Sequence, residues 1–360
     1  MAEYDGRGGN RPARHVGPAR KNKGTVMRAI EIRGQGGPEV LALTDRPIPA
    51  IGSADVLVRV AAAGVNRPDV QQRKGLYPPP PGVTDIPGLD IAGVVESVGD
   101  GVAWPRPGDA VCALVAGGGY AEFCRAPAQQ CMPIPRGFTF AQAATLPEAF
   151  FTAWNNVFRL GRIAEGETLL VQGGTSGVGL AAIQMARALR GATVIATCSS
   201  GEKSAVCRDH GAQHVVNYRA ADWPDQVRAA AGERGVDVIL DSQGGDYVPL
   251  ELGLLARDGR LVLITSHRAP TATISTREIY IRGLTLTGST LRARPAAYKG
   301  RIAKELVQQV WPLLGDGRIR THICGVHALE DAAAAHSVLD ANAQIGKLVL
   351  TVSDLAQTAP

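Results

Sequence analysis

A glycine-rich turn between a β-type run and an amphipathic helical run constrains this chain more than any other feature. The run Leu169–Gln172 leads into Gly173-Gly174-Thr175-Ser176-Gly177-Val178-Gly179, and helical periodicity follows as far as Leu189. Small residues let backbone N–H groups approach an anion, and a helix N-terminus adds the positive end of its dipole. The spacing Gly174-x-Ser176-x-x-Gly179 predicts a dinucleotide pyrophosphate site in which serine replaces the middle glycine. An ordinary strand-to-helix turn is the alternative.

Residues 147–290 alternate short apolar β-type runs with helical runs. The predicted strands are Thr168–Gln172, Thr193–Thr197, His214–Asn217, Val236–Asp241, Arg260–Thr265 and Leu284–Thr287. The predicted helices lie at 178–189, 202–210, 222–231 and 247–256. Alternation with short loops is typical of a parallel, doubly wound sheet. We therefore expect an α/β fold whose Rossmann domain over residues 147–290 binds the dinucleotide.

Residues 27–146 have a different pattern, in which turn signals separate short strands and indicate a compact β-rich domain. The predicted strands are Arg28–Ile32, Leu41–Leu43, Val56–Ala61, Gly93–Val98, Ala110–Leu114 and Tyr120–Arg125. Residues 291–360 contain predicted helices at Ile302–Leu314 and Leu329–Leu339 and a final strand at Gly346–Val352. We expect this last segment to return to the first domain.

The charge and cysteine distributions exclude several classes of protein. The formal charge is +5, but residues 1–26 carry a net +4, so the remainder is only about +1 and has no basic nucleic-acid surface. This basic tail is rich in Gly, Arg and Pro and is predicted to be disordered. No apolar run approaches the ~20 residues of a membrane span. The six cysteines show neither C-x-x-C pairs nor a disulfide framework, which indicates a reducing, cytoplasmic compartment.

The end of the second predicted Rossmann strand favours NADPH over NADH. The acidic residue that usually binds the ribose 2′-hydroxyl of NAD is replaced by a neutral segment with Ser199, followed by Lys203. These groups, with Tyr218 after the next strand, suit a 2′-phosphate because charge-assisted hydrogen bonds are strong. A solvated Lys203 is the alternative, and Glu202 is a second candidate for a ribose hydroxyl.

Catalytic zinc would need three protein ligands and an open position. In Gly64-Val65-Asn66-Arg67-Pro68-Asp69, Asn66 stands where a zinc dehydrogenase would carry cysteine. The histidines show no ligand spacing, and there is no cysteine quartet for a structural site. The sequence therefore predicts no metal centre.

A series of motifs in order along the chain resembles one enzyme family. They are Gly64–Asp69, Gln72–Gly82, Pro87–Gly93, Gly117–Glu122, Met132–Pro135, Leu146–Trp154, Gly173–Gly179, Asp241–Gly245, Leu291–Arg294 and Ile345–Lys347. From Met27 to Val352 the chain resembles the zinc-free quinone oxidoreductases of the medium-chain dehydrogenase/reductase superfamily. It is most similar to the branch of the tumour-suppressor-inducible quinone oxidoreductase.

The resemblance implies a GroES-like catalytic domain, a Rossmann domain and an active cleft between them. It implies hydride transfer from NADPH to a quinone or similar conjugated carbonyl, and a homodimer joined through the edge strand at 284–287. The implied cofactor residues are Gly174, Thr175, Ser176, Gly177, Val178 and Gly179 at the pyrophosphate, Ser199, Lys203 and Tyr218 at the adenosine phosphate, and Ser242, Gly244 and Ser266 near the ribose and nicotinamide. Lys347 would close over the cofactor, with a solvated lysine as the alternative.

Two residues are candidates for catalysis. Without a metal, hydrogen-bond donors must stabilise the oxyanion that hydride transfer produces. Tyr77 is the first candidate, because related acyl-thioester enoyl reductases have a catalytic tyrosine in a similar setting; a tyrosine that only packs is the alternative. Asn66 would orient the nicotinamide ribose or donate to substrate, or would cap a turn.

Two other functions stay open from the sequence alone. An enoyl or enone reductase would act on a larger conjugated carbonyl such as an acyl thioester. A nucleotide-regulated RNA-binding protein would use the basic tail, although a few arginines in a flexible segment give weak, salt-sensitive contacts.

Overall fold

A computed structural model describes residues 26–360, so the predicted disorder of the basic tail falls almost entirely outside it. The strands are β1 (Val26–Ile32), β2 (Leu41–Pro47), β3 (Asp55–Val65), β4 (Asp90–Val98), β5 (Ala110–Leu114), β6 (Phe123–Pro127), β7 (Cys131–Pro133), β8 (Thr168–Val171), β9 (Thr193–Cys198), β10 (His214–Asn217), β11 (Val236–Asp241), β12 (Leu255–Leu263), β13 (Thr285–Gly288), β14 (Ile323–Ala328) and β15 (Lys347–Thr351).

The α-helices lie between these strands along the chain. They are α1 (Arg67–Arg73), α2 (Phe140–Ala143), α3 (Pro147–Ala153), α4 (Gly177–Arg190), α5 (Gly201–Asp209), α6 (Trp223–Ala231), α7 (Tyr247–Leu254), α8 (Thr276–Arg282), α9 (Ala296–Gln309), α10 (Trp311–Gly315) and α11 (Ala332–Asp340). Helix α3 continues directly into a π-helical segment, Trp154–Leu160.

Six parallel strands form the predicted doubly wound sheet, which is confirmed. Their order is β10-β9-β8-β11-β12-β13, the Rossmann order 3-2-1-4-5-6. Strand order reverses between β8 and β11, and ligands of such sheets bind beyond the strand ends at this point. The glycine-rich turn that follows β8 therefore lies at the expected binding edge.

The β-rich part forms a separate, mostly antiparallel sheet in the order β14-β15-β3-β4-β5-β7, with β6 on the other side of part of β3. Strand β15, from the end of the chain, pairs antiparallel with β3 over Val65 to Ala62. Strand β14 adds to β15 in parallel. Strand β15 thus completes a sheet that begins with β3, while β1 and β2 pair only with each other.

The α3 segment joins the two sheets through a shared core. Phe150, Phe151 and Trp154 are buried and belong to one cluster with Ala92 of β4 and Leu169 of β8. Because an apolar helix packs between the sheets, the start of α3 lies at the wall of the cleft between them. Within residues 26–360, no helix is long and apolar enough to cross a bilayer.

Several predicted boundaries were wrong for identifiable reasons. The strand expected at Arg260–Thr265 begins at Leu255 and ends at Leu263, because α7 ends at Leu254, earlier than expected. The helix expected at Ile302–Leu314 starts at Ala296 and is interrupted at Val310, after which Pro312 sits in the first turn of α10. Proline has no N–H to continue a helix but fits a first turn. The strand expected at Tyr120–Arg125 begins at Phe123.

Candidate functional site

The glycine-rich turn lies between β8 and α4, fixed against the neighbouring strand. The N–H of Gly174 donates to the carbonyl oxygen of Thr197 at 2.9 Å, and the N–H of Gly173 donates to the Thr197 hydroxyl. Ser176 begins α4 as its N-cap, because its hydroxyl accepts from the Gly179 N–H at 3.0 Å. The serine thus occupies the position of the missing glycine and still leaves the turn compact.

The first turn of α4 offers unpaired donors. Within the described chain, the N–H groups of Gly177 and Val178 have no acceptor, and both residues are partly exposed. A helix of this length carries a partial positive charge at its N-terminus. The turn therefore suits an anion such as a pyrophosphate, and all six predicted residues from Gly174 to Gly179 lie together there.

The predicted adenosine-phosphate residues cluster at the ends of two neighbouring strands. Ser199 and Tyr218 follow β9 and β10, whose last residues are paired in register. Lys203 lies in the first turn of α5, and its ammonium donates to the carbonyl oxygen of Asn342 at 2.9 Å. That exposed contact connects α5 to the segment after α11, and both interpretations of Lys203, phosphate ligand and solvated lysine, stay predictions.

A cavity of about 680 Å³ lies beyond the ends of β11, β12 and β13. Gly244 and Ser266 both line it, as do Ser289 and Thr290. Gly244 has φ +65°, and a Cβ there would lie 2.7 Å from the Cβ of Ser266, so the two loops approach closely. Ser242 stands beside the turn, with its hydroxyl 3.5 Å from the Gln172 carbonyl oxygen. The structure thus gathers these three predicted residues at one end of the cleft.

A buried ion pair forms the floor of the cleft on the β-rich side. The Lys347 ammonium donates to Asp90 Oδ2 at 2.7 Å and to Asn66 Oδ1 at 2.6 Å. The Asn66 amide donates to Asp90 Oδ2 at 2.9 Å and is 3.4 Å from the Gly64 carbonyl oxygen. Lys347 is only 6% exposed, so the solvated-lysine alternative is wrong. The side chain of Asn66 is fully engaged within this cluster.

The backbone of Asn66 has the capping role that the sequence left as its alternative. Asn66 is the N-cap residue of α1, and its N–H donates to Asp69 Oδ2 at 2.8 Å. The Asp69 carboxylate also accepts from the Gly88 N–H and the Tyr120 hydroxyl. Burial raises the pKa of Asp69 to about 6, against the opposing effect of the backbone hydrogen bond from Asn66. These contacts hold the segment before Tyr77 against the ion-pair cluster.

Tyr77 lies at the mouth of the cleft, half-buried. The Arg292 guanidinium stands 5.4 Å from the centre of its ring and donates to its backbone carbonyl oxygen. Burial raises the pKa of the Tyr77 hydroxyl, and the charge of Glu148 raises it further. The hydroxyl therefore stays protonated and can donate a hydrogen bond at neutral pH. Thr290, a residue of the cavity lining, lies close enough to the Tyr77 hydroxyl to oppose this rise in its pKa.

Glu148 is a carboxyl group of the site that sequence reasoning missed. It lies in the first turn of α3, and its N–H donates to Asp90 Oδ1. Burial raises its pKa to about 7, and the negative charge of Asp90 adds to the effect. Asp90 and Arg292 were also missed, although all three stand in the quoted motifs. The sequence could have indicated Glu148, because it is the one charged residue in the mostly apolar run Leu146–Trp154.

Among residues 26–360, no group of three or more His, Cys, Asp or Glu side chains is arranged to hold a metal ion. The cysteines of the β-rich sheet are buried, and burial raises the pKa of Cys112 and Cys124. They have the character of packed thiols.

Replacing Gly179 by alanine tests the close packing of the turn. The added Cβ would lie 2.6 Å from the Gly173 carbonyl oxygen, which is backbone and has no free rotation. We expect the free energy of unfolding, measured in urea, to fall by about 1–3 kcal/mol. Gly201→Ala is the matched control, because no atom of the described residues lies within 4 Å of its added Cβ at the start of α5. Equal stability of the two variants would show that the turn is looser than described.

Replacing Lys347 by methionine tests the buried ion pair. The change leaves the Asp90 carboxylate buried without a counter-charge, so we expect a loss of about 3–5 kcal/mol in urea unfolding. Adding Asp90→Asn removes the uncompensated charge and should restore part of the loss. The exposed Lys304 of α9 gives the control Lys304→Met, which should change stability by less than ~0.5 kcal/mol. A Lys347→Met variant as stable as the control would contradict the pairing.

Comparisons with known families agree with the two-domain architecture. Residues 52–136 match the family described as "Alcohol dehydrogenase GroES-like domain", and residues 177–308 match "Zinc-binding dehydrogenase". The GroES-like assignment of the β-rich domain is thereby confirmed. The second match is to a family whose name refers to zinc.

Individual relatives cover nearly the whole chain. Quinone oxidoreductase of Rattus norvegicus is 36% identical over 336 residues, which are 90% of this chain and 98% of the relative. The structure of Escherichia coli quinone oxidoreductase complexed with NADPH has a TM-score of 0.80 at 28% identity, covering 90% of this chain and all of that one. A mycobacterial protein complexed with NADPH has a TM-score of 0.81 at 31% identity, with 91% of this chain covered and 100% of that chain. The chain belongs to the quinone oxidoreductase family of the medium-chain dehydrogenase/reductase superfamily.

Proposed function

We propose that this protein is a zinc-independent NADPH:quinone oxidoreductase, which reduces a quinone or a similar conjugated carbonyl. The observation that carries the proposal is one cleft with an anion-binding helix terminus at one end and side chains that can carry a proton at the other. The N–H groups of Gly177 and Val178 define the first end, and Tyr77 with Glu148 defines the second. The quinone oxidoreductase relatives supply the class of acceptor.

The residues present fit NADPH. The first turn of α4 would bind the pyrophosphate, and Ser199, Lys203 and Tyr218 would hold the adenosine 2′-phosphate. Ser242, Gly244 and Ser266 would lie along the ribose and nicotinamide. When bound, NADPH supplies a hydride from its nicotinamide ring to the acceptor.

The catalytic side of the cleft would stabilise the charge that develops on the acceptor oxygen. Tyr77 would donate a hydrogen bond there, since its hydroxyl keeps its proton at neutral pH. Asn66 and Lys347 would act as positioning residues, because both are committed to Asp90 and give the cleft floor a fixed shape. Preorganised donors of this kind cost no rearrangement when the oxyanion forms.

Four further proposals follow from the sequence analysis. Membership of the tumour-suppressor-inducible branch, independence of zinc and a cytoplasmic location stay predictions. A homodimer through residues 284–287 is supported by the position of β13, which is the last strand of the parallel sheet. An exposed strand edge presents unpaired backbone groups that a second copy can pair with. Tyr280, 71% exposed on the neighbouring α8, adds apolar surface at that edge.

Oxidation of NADPH and NADH in EDTA, with 1,4-benzoquinone, 9,10-phenanthrenequinone and crotonyl-CoA as acceptors, tests the function. We expect quinone turnover with a preference for NADPH, unchanged by the chelator, because the cleft needs only hydrogen-bond donors. Turnover of crotonyl-CoA in place of quinones would move the assignment to an enoyl reductase. Activity that EDTA abolishes and zinc restores would overturn zinc independence.

Lys203→Ala tests the preference for NADPH. Loss of one charge-assisted hydrogen bond of about 1.5–3 kcal/mol should raise the KM for NADPH by about tenfold to a hundredfold. The KM for NADH should change little, since NADH has no 2′-phosphate. Lys304→Ala, at an exposed position of α9, is the control for loss of a positive charge. Equal effects on the two dinucleotides would exclude Lys203 as the phosphate ligand.

A further inference from the structure

Glu148 is a carboxyl group in the wall of the cleft without a partner of its own. Among the described residues, none donates a hydrogen bond to its side chain, and its N–H is directed to Asp90. The residues on either side, Pro147 and Ala149, are buried and apolar, whereas Glu148 keeps partial exposure. The carboxyl is therefore largely desolvated by its surroundings, although the residue keeps some contact with solvent.

The nearby cations are already committed elsewhere. Lys347 donates to Asp90 and Asn66, and Lys299 donates to the Arg292 carbonyl oxygen at 3.2 Å. A buried carboxylate without a paired cation is costly, so the group takes up a proton instead. Glu148 is thus held as an acid beside the Asp90–Lys347 ion pair that forms the floor of the cleft.

We propose that Glu148 is the general acid that protonates the reduced acceptor, an inference that rests on the proposed function. Hydride addition gives a quinone two electrons, oxidises the dinucleotide and leaves a negative charge on one acceptor oxygen. The O–H bond of the Glu148 carboxyl breaks, and its proton forms the new O–H bond of the hydroquinone. Water entering the open cleft returns a proton to the carboxylate, which completes the balance.

Glu148 and Tyr77 have different roles because the pKa values of their side chains differ. Burial raises the pKa of Tyr77 above its ordinary value of 10.0, so its hydroxyl holds its proton and serves as a hydrogen-bond donor. Burial raises the pKa of Glu148 to about 7, where proton transfer near neutral pH is most efficient. One residue stabilises the oxyanion, and the other removes the charge.

The charged groups that face Glu148 set the direction of the pH dependence. They are Asp90 of β4, Asp69 of α1, Lys347 of β15, Lys299 of α9, and Tyr77 and Arg292 from the loops after α1 and β13. Both carboxylates favour the protonated acid, and both lysines oppose it. Because only the protonated form donates, the rate of the chemical step should fall as pH rises through about 7.

Glu148→Gln keeps the shape of the side chain but removes the acid. In single-turnover reactions at neutral pH, we expect a loss of about 10²-fold with 1,4-benzoquinone. The loss should be smaller with 2,6-dichloro-1,4-benzoquinone, whose reduced oxyanion is less basic and needs the proton less. The variant should bind NADPH as the wild type does and lose the fall in rate near pH 7. Glu148→Asp should recover part of the rate and the pH dependence.

Two controls make the outcome decisive. Glu96→Gln replaces a half-exposed carboxylate of β4 paired with Arg59 and should leave every rate unchanged. In an infrared titration without cofactor, the difference between wild type and Glu148→Gln should contain a protonated carboxyl signal that is lost near pH 7, since the signal of Asp69 is common to both and cancels. Equal losses with both quinones, or an unchanged pH profile, would overturn the role of Glu148. Absence of any quinone turnover by the wild type would instead overturn the proposed function.

Discussion

The buried ion pair between Lys347 and Asp90 is the contact on which the rest of the cleft depends. It connects β15 to β4 and includes Asn66 at the end of β3, so three strands are fixed by one ammonium group. The same lysine also approaches the cofactor turn, since a Cβ on Gly177 would lie 2.6 Å from its Cδ. The preceding residue, Gly346, donates to the Thr175 carbonyl oxygen at 2.7 Å. The floor of the cleft and its anion-binding turn are therefore held in one arrangement.

Burying this pair has a consequence for the other acids of the site. Desolvation of two charges is costly unless both are well bonded, and here the ammonium group has two oxygen partners. A cation committed in this way cannot also neutralise Glu148, whose pKa burial raises to about 7. Among residues 26–360, no cation is in direct contact with Asp69, which is stabilised by N–H and O–H donors. The architecture that fixes the cleft thus determines which of its carboxyl groups keeps a proton.

Sequence reasoning predicted the parts of the molecule that depend on local pattern. The run from Leu169 to Leu189 specifies strand, turn and helix within a few residues, and the structure has α4 from Gly177 to Arg190. The ion pair could not be predicted in this way, because Lys347 and Asp90 are 257 residues apart and meet only when β15 completes the sheet. Asn66 shows the same limit: its position suggested a cap, but its side chain bonds to residues that no local spacing connects.

At the adenosine end of the cleft, the sequence predicted which residues lie there but not the contacts that they make. Ser199 and Tyr218 follow the ends of adjacent strands, because β9 and β10 are neighbours, which the Rossmann order implies. The contact between Lys203 and the Asn342 carbonyl oxygen depends on how α5 approaches the segment after α11, which the pattern does not contain. A phosphate would displace a neutral carbonyl from this lysine, since a hydrogen bond between two charged groups is stronger. The residue is thus placed to serve either contact.

The measurement that tests this account most directly is a crystal structure of the full chain with NADPH. The account predicts the pyrophosphate at the N–H groups of Gly177 and Val178, the 2′-phosphate at Lys203, and the nicotinamide between the cavity at Ser266 and the wall formed by Glu148. A dinucleotide bound away from the glycine-rich turn, or one whose nicotinamide faces away from Glu148, would contradict it.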